Sequence, residues 1–185
     1  KVYVVDVKET EKGPRALISR TYHGLVRRLF ETEVPEIAEG MVEIKEVARE
    51  AGSRTKIAVI SSDEKVDAVG ACIGARGARV GKIVDMLNGE KIDIVPYDED
   101  PARFVANALA PADVIDVIVL DEEEKSCRAI VPDDQLSLAI GNKGQNARLA
   151  AKLTGWKIDI NPESGKIEAA PEATEAEAPE TEDEE

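Results

Sequence analysis

The stretches Ile73-Gly74-Ala75-Arg76-Gly77 and Ile140-Gly141-Asn142-Lys143-Gly144 share the pattern Ile-Gly-x-x-Gly, and their surroundings repeat as well. A single Gly-x-x-Gly says little, because short glycine spacings often do no more than end a helix. Here the first loop leads into Val80, Ile83, Val84 and Leu87 at helical spacing and then Gly89-Glu90-Lys91-Ile92-Asp93-Ile94. The second leads into Leu149 and Leu153 and then Gly155-Trp156-Lys157-Ile158-Asp159-Ile160. Each helix thus meets a glycine stop and a strand built on the same Gly-x-Lys-Ile-Asp-Ile block.

The repeat also extends upstream. Leu25, Val26, Leu29 and Phe30 form an apolar stripe on one helix, and Phe104, Val105, Ala108 and Leu109 reproduce it on another, which Asp100-Pro101 should start. Two β-rich runs follow each helix, Val42 to Ala48 and Lys56 to Ile60 in the first unit, Val114 to Leu120 and Cys127 to Val131 in the second. The predicted order is helix, strand, strand, helix, Gly-x-x-Gly, helix, strand, over residues 21–96 and again over 100–161. Such a unit is an α+β sandwich with helices on one face of a three-stranded sheet. Tyr97, Asp98 and Glu99 are too short a linker for a flexible tether, so a rigid tandem is expected.

Residues 1–20 stand outside the repeat and predict a β-hairpin about Lys12-Gly13-Pro14. Residues 162–185 hold little beyond Glu, Ala and Pro and predict a disordered acidic tail. Lys1 is not an initiator methionine, which suggests a start inside a longer protein or after a cleavage.

The formal net charge of −14 over 185 residues looks unsuited to a polyanionic partner until it is divided along the chain. Residues 162–185 carry ten acids against one lysine, a net of −9, which leaves −5 for residues 1–161. Within that remainder Ala68 to Val84 holds no acid but carries Arg76, Arg79 and Lys82, and Gln135 to Ile158 holds none but carries Lys143, Arg148, Lys152 and Lys157. Both windows contain a glycine loop, and local potential guides a phosphate better than net charge does.

A Gly-x-x-Gly turn between short helices admits a backbone without Cβ interference and aims free amides at an anion. The candidate nucleic-acid contacts are therefore Ile73, Gly74, Ala75, Arg76 and Gly77 with Arg79 and Lys82, and Ile140, Gly141, Asn142, Lys143 and Gly144 with Arg148 and Lys152. The cations would meet phosphates, and the two isoleucines would floor the bases.

Other chemistries find little support. Gly70, Gly74 and Gly77 do not make the dinucleotide fingerprint Gly-x-Gly-x-x-Gly, and there is no Walker Gly-Lys-Ser/Thr. A 3% aromatic content disfavours a stacking sheet, and Trp156 reads as packing beside the second sheet. His23, the lone histidine, reads as surface, and Cys72 and Cys127 as small buried hydrophobes, so no metal, cofactor or catalytic group is expected. No apolar run reaches the length of a membrane span, which points to a soluble cytoplasmic protein.

These loops resemble those of KH domains. The runs Val69-Gly70-Ala71-Cys72-Ile73-Gly74, Asn107-Ala108-Leu109, Val131-Pro132-Asp133-Asp134-Gln135-Leu136-Ser137-Leu138-Ala139-Ile140-Gly141 and Gly144-Gln145-Asn146-Ala147-Arg148-Leu149-Ala150-Ala151-Lys152-Leu153-Thr154-Gly155-Trp156 resemble the NusA family of bacterial transcription factors over about residues 14–161. The resemblance implies two type II KH domains that bind nascent single-stranded RNA. It also implies RNA polymerase and other transcription factors as partners, and roles in elongation, pausing, termination and antitermination. Leu17-Ile18-Ser19-Arg20 resembles the end of that family's S1 domain, which would make residues 1–20 the closing hairpin of an OB-fold. The expected protein is a monomer and not an enzyme. The competing reading is a protein-interaction scaffold, with Arg27 and Arg28 on a docking helix face.

Overall fold

The structure, a computed structural model, describes residues 1–165. The tail expected from residue 162 lies, from residue 166 onward, outside the described residues. Strands β1 (Tyr3–Thr10) and β2 (Gly13–Ser19) form the expected hairpin. The first repeat unit then runs α1 (Gly24–Glu33), α2 (Pro35–Ala38), β3 (Val42–Glu50), β4 (Arg54–Ser61), α3 (Ala68–Ile73), α4 (Ala78–Met86) and β5 (Lys91–Pro96). The second runs α5 (Pro101–Ala108), β6 (Asp116–Asp121), β7 (Ser126–Val131), α6 (Leu136–Ile140), α7 (Gln145–Thr154) and β8 (Lys157–Pro162).

Local chemistry explains the boundaries. The Asp100 carboxylate accepts from the Ala102 amide at 3.0 Å while Pro101 opens α5, as the Asp-Pro pair suggests. Asp67 caps α3 in the same way through the Val69 amide at 3.1 Å. Gly155, at φ 74, ends α7 with its amide on the Ala151 carbonyl. The short α2, started by Pro35, has no counterpart in the expected order. Glu163 still pairs with the sheet, its amide donating to the Val131 carbonyl at 2.9 Å, so the expected start of the tail falls on ordered chain.

Both units have the same three-stranded sheet. In each, the central strand is antiparallel to the first and parallel to the last: β4 between β3 and β5, β7 between β6 and β8. The predicted stripes are the buried ones. Leu25, Val26, Leu29 and Phe30 join Ile57, Val59, Cys72 and Ile83 in the first core, and Phe104, Val105, Ala108 and Leu109 join Cys127, Ala129, Leu149 and Leu153 in the second. Each fully buried aliphatic or aromatic side chain contributes roughly 1.5–3 kcal/mol of transfer free energy.

The expectation of helices on one face holds for the second sheet and is incomplete for the first. Ala48, Ala58 and Val95, on the outer face of the first sheet, belong to the second core, against α5 and α7. The first sheet is therefore covered by its own helices on one side and its neighbour's on the other. That is why β4 is buried continuously from Thr55 to Val59, a run that includes Lys56. The Lys56 ammonium donates to Asp93 at 3.0 Å and to the Ala110 carbonyl of the second unit at 2.6 Å.

Candidate nucleic-acid interface

The two glycine loops are built alike, residue by residue. Gly74 and Gly141 sit at φ 73, ψ 172 and φ 78, ψ 171, a conformation that only glycine adopts readily. A Cβ at Gly74 would lie 2.6 Å from Cγ of Arg79, and one at Gly141 would lie 2.8 Å from Cβ and the amide of Asn146. Position three of each loop, Arg76 or Lys143, is left-handed at φ 53, ψ 30 or φ 51, ψ 32. For a residue with a Cβ this conformation costs of order 1 kcal/mol. Both strained positions carry an exposed cation that makes no ion pair with the described residues.

Behind each loop sits a residue that binds it to the preceding helix. Arg79 donates to the Ala71 carbonyl at 2.6 Å and to Glu36 at 2.8 Å. Asn146, its counterpart, is buried and donates to the carbonyls of Ala139 (3.0 Å) and Leu109 (2.9 Å). Asn146 is not among the candidate contacts that the sequence offers. Its signal is only positional, two residues past a loop glycine, where an uncharged polar side chain does not announce burial.

The nominated cations divide into two groups. Arg76, Lys143 and Lys152 are exposed and without ion-pair partners among the described residues. The others are held: Lys82 by Glu33 at 2.5 Å, Arg79 by Glu36, and Arg148 by Glu50 at 2.6 Å. The acid-free windows predict local positive faces, but carboxylates from α1, α2 and β3 reach into them across the fold. A window of sequence contains no information about a partner 98 residues away.

The apolar floor is likewise only partly as expected. Outside the hairpin, the segment joining it to α1 and the β6 region, the large hydrophobic side chains exposed among the described residues are Ile73 and Leu138, each on the helix that enters a glycine loop. Ile140 is half-buried, and Leu138 was not among the nominated residues. Helix α3 packs on β5 and α6 on β8, in each case the last strand of the sheet, whose outer edge is unpaired among the described residues.

The two units are coupled where the second loop meets the first sheet. The β3–β4 turn is held by Glu90, a carboxylate 1% exposed that accepts from Arg49 (2.8 and 2.9 Å), Thr55 (2.5 Å) and the Gly52 amide (2.8 Å). Burial opposes ionisation of Glu90, but these donors outweigh it and hold the carboxyl below its usual range. On this turn Glu50 accepts from Arg148 at 2.6 Å and Gln145 at 2.8 Å, and Gln145 also donates to Ser53 at 2.7 Å. Arg148 donates in addition to the Lys143 carbonyl at 3.1 Å, inside the second glycine loop.

Helix–strand–strand–helix–helix–strand, a glycine loop between the paired helices and a mixed three-stranded sheet define a type II KH unit, and this chain is a tandem of two. Residues 20–97 match the NusA-like first KH domain and residues 101–168 the NusA-like second KH domain. The chain is 63% identical over 164 residues to a protein of Bacillus subtilis named transcription termination/antitermination protein NusA, covering 89% of this chain and 44% of that one. Proteins of the same name from Mycobacterium bovis and Thermus thermophilus are 60% identical over 158 residues (85% and 46% covered) and 50% identical over 173 residues (94% and 44% covered). The chain belongs to the NusA family, and it spans less than half the length of these curated relatives. A solved structure titled "Crystal structure of APE1850" superposes with a TM-score of 0.54 at 23% identity, covering 75% of this chain and 97% of that one, a likeness of fold. No helix among the described residues is long and apolar enough to cross a membrane.

Proposed function

We propose that this chain binds single-stranded RNA along its two KH units and acts by binding, without catalysis, in a transcription termination and antitermination factor that works with RNA polymerase on the nascent transcript. The observation that carries this reading is the matched pair of strained loops, each presenting an exposed cation beside glycine backbone that a phosphate can approach. Arg76 and Lys143, with the surrounding loop residues 74–77 and 141–144, take the phosphates; Ile73 and Ile140 support the bases; Lys152 adds positive potential. Lys82 joins them once RNA displaces Glu33, and Arg79 serves by holding its loop.

Residues 1–20 form the closing hairpin of an S1 OB-fold. The exposed Val4, Val5, Val7, Leu17 and Ile18 of the hairpin suit a face made to be covered. The docking-helix alternative is weakened because Arg27 is turned onto the Ile44 carbonyl at 2.7 Å and Arg28 is paired with Glu31 at 2.6 Å. The protein works as a cytoplasmic monomer.

The test replaces Gly74 and Gly77, or Gly141 and Gly144, by Asp, with folding checked by amide shifts away from the loop. Either pair should sharply weaken binding to an RNA of about eight or more nucleotides, since each KH unit holds about four. Lys143→Gln should lower the slope of log affinity against log salt by about 0.7, one single-strand phosphate contact. Full affinity in both double variants would end the RNA reading.

A further inference from the structure

Arg148 is engaged on two sides rather than left free to meet a phosphate. Its guanidinium is divided between Glu50 of the first unit (Nε to Oε1, 2.6 Å) and the Lys143 carbonyl of the second unit's glycine loop (Nη1 to O, 3.1 Å). Gln145, the first residue of α7, reaches the other oxygen of the same carboxylate at 2.8 Å and the Ser53 hydroxyl at 2.7 Å. Glu50 therefore has each carboxylate oxygen engaged by a different side chain of α7. The hydrogen bonds from Arg148 and Gln145 hold it below the usual carboxylate range, so it stays ionised and in place. The turn it stands on is fixed in turn by the fully bonded Glu90. A chain of hydrogen bonds runs from the first sheet, through one carboxylate, to the backbone of the second glycine loop.

We infer that Glu50, Arg148 and Gln145 form a latch that sets the second glycine loop in register with the first groove, so that one RNA strand can occupy both. This inference rests on the RNA-binding reading and deepens it: Arg148 becomes a positioning residue, and phosphate contact in the second unit is left to Lys143 and the loop amides. The latch acts on RNA long enough to span both units and has no effect on RNA that fills one. It makes binding cooperative by fixing geometry, since a second contact made within one complex gains only when the two sites can be occupied at once.

Glu50→Gln separates the two roles by sign. If Arg148 were a phosphate ligand restrained by Glu50, removing this negative charge would free it and tighten RNA binding. The latch gives the opposite result: on the full chain, affinity for a random-sequence ten-nucleotide RNA pool should fall by about fivefold, while affinity for a four-nucleotide pool changes by less than about twofold. Arg148→Gln should behave in the same way and leave the salt slope on the short pool unchanged, where loss of a phosphate contact would lower it by about 0.7. Tighter binding by Glu50→Gln, or a lowered short-pool slope in Arg148→Gln, would overturn the latch.

A measurement without RNA distinguishes failure of the latch from failure of the RNA reading. Residual dipolar couplings of the free chain should report altered alignment of the two units in Glu50→Gln and Arg148→Gln but not in Lys143→Gln. Unchanged alignment in the first two would refute the inference whatever the RNA results.

Discussion

Lys56 with Asp93 and Arg128 with Asp159 occupy the same place in the two sheets, a cation on the central strand beside the aspartate of the repeated Lys-Ile-Asp-Ile block. Their distances are nearly equal, 3.0 and 3.1 Å. Their surroundings are not: the Lys56 side chain is 0% exposed and that of Arg128 44%. The first pair lies under α5 and α7 of the neighbouring unit, with the Ala110 carbonyl as third partner; the second faces out from the tandem. Flanking residues follow suit, with Ala48, Ala58 and Val95 on the covered face where Ile118, Ile130 and Asn161 stand on the open one. A repeated ion pair is thus a surface ornament in one copy and part of an interface in the other. Small side chains beside it mark which.

The largest difference should appear on deleting the cations. Lys56→Ala leaves the Ala110 carbonyl without its donor and Asp93 with Arg54 alone, and should destabilise the chain by about 3 kcal/mol in urea unfolding, as loss of one partner of a buried pair does. Arg128→Ala should cost less than about 0.5 kcal/mol. Equal losses would mean that the interface does not bury Lys56 in solution.

Overpacking is the next test. Ala58→Leu forces methylenes into the contact between the units and should cost about 1–3 kcal/mol, whereas Ile130→Leu at the corresponding position should be close to neutral. Thermal unfolding of both variants reads this directly.

Acid should act on the covered side. Burial opposes ionisation of Asp93, but the hydrogen bonds and charges of Arg54 and Lys56 outweigh it and keep the carboxyl below its usual range; Glu90 behaves similarly, and Arg148 and Gln145 lower Glu50. A carboxylate whose folded pKa is depressed contributes stability that is fully present above its unfolded value, about pH 5 and upward, and lost as pH falls through the depressed value. Unfolding free energy should therefore fall on acidification below about pH 5, and Asp93→Asn should flatten the dependence.

The smallest effect concerns the thiols. Burial pushes Cys72 up to about 12 and also raises Cys127, the nearby carboxylates of Glu36 and Asp67 adding to the shift at Cys72. Native protein at neutral pH should react slowly with a thiol reagent at both sites, Cys127 before Cys72, as followed by mass spectrometry.

Much of this was legible in the sequence, because repeated local patterns have local causes. The stripes of α1 and α5, the Asp100-Pro101 start, the glycine stops and the loops all depend on residues within a turn or two of each other. Contacts made across the fold left no such trace. Thr55-Lys56-Ile57-Ala58-Val59 looks like a strand with one polar face, and burial of that face depends on a helix nearly 100 residues later. Arg79, Lys82 and Arg148 looked free because the acids that hold them are distant in the chain. Leu138 could have been found in the sequence, since an apolar residue on the loop-entry helix invites a check for exposure; Asn146 could not.

The left-handed Arg76 and Lys143 set a trap for protein engineering. A search for stabilising changes would replace both by Gly or Asn, residues that take that conformation at lower cost, with a gain of up to about 1 kcal/mol each. Such a variant would withstand more heat while giving up the charges proposed to grip RNA, so selection by stability alone would select against the site.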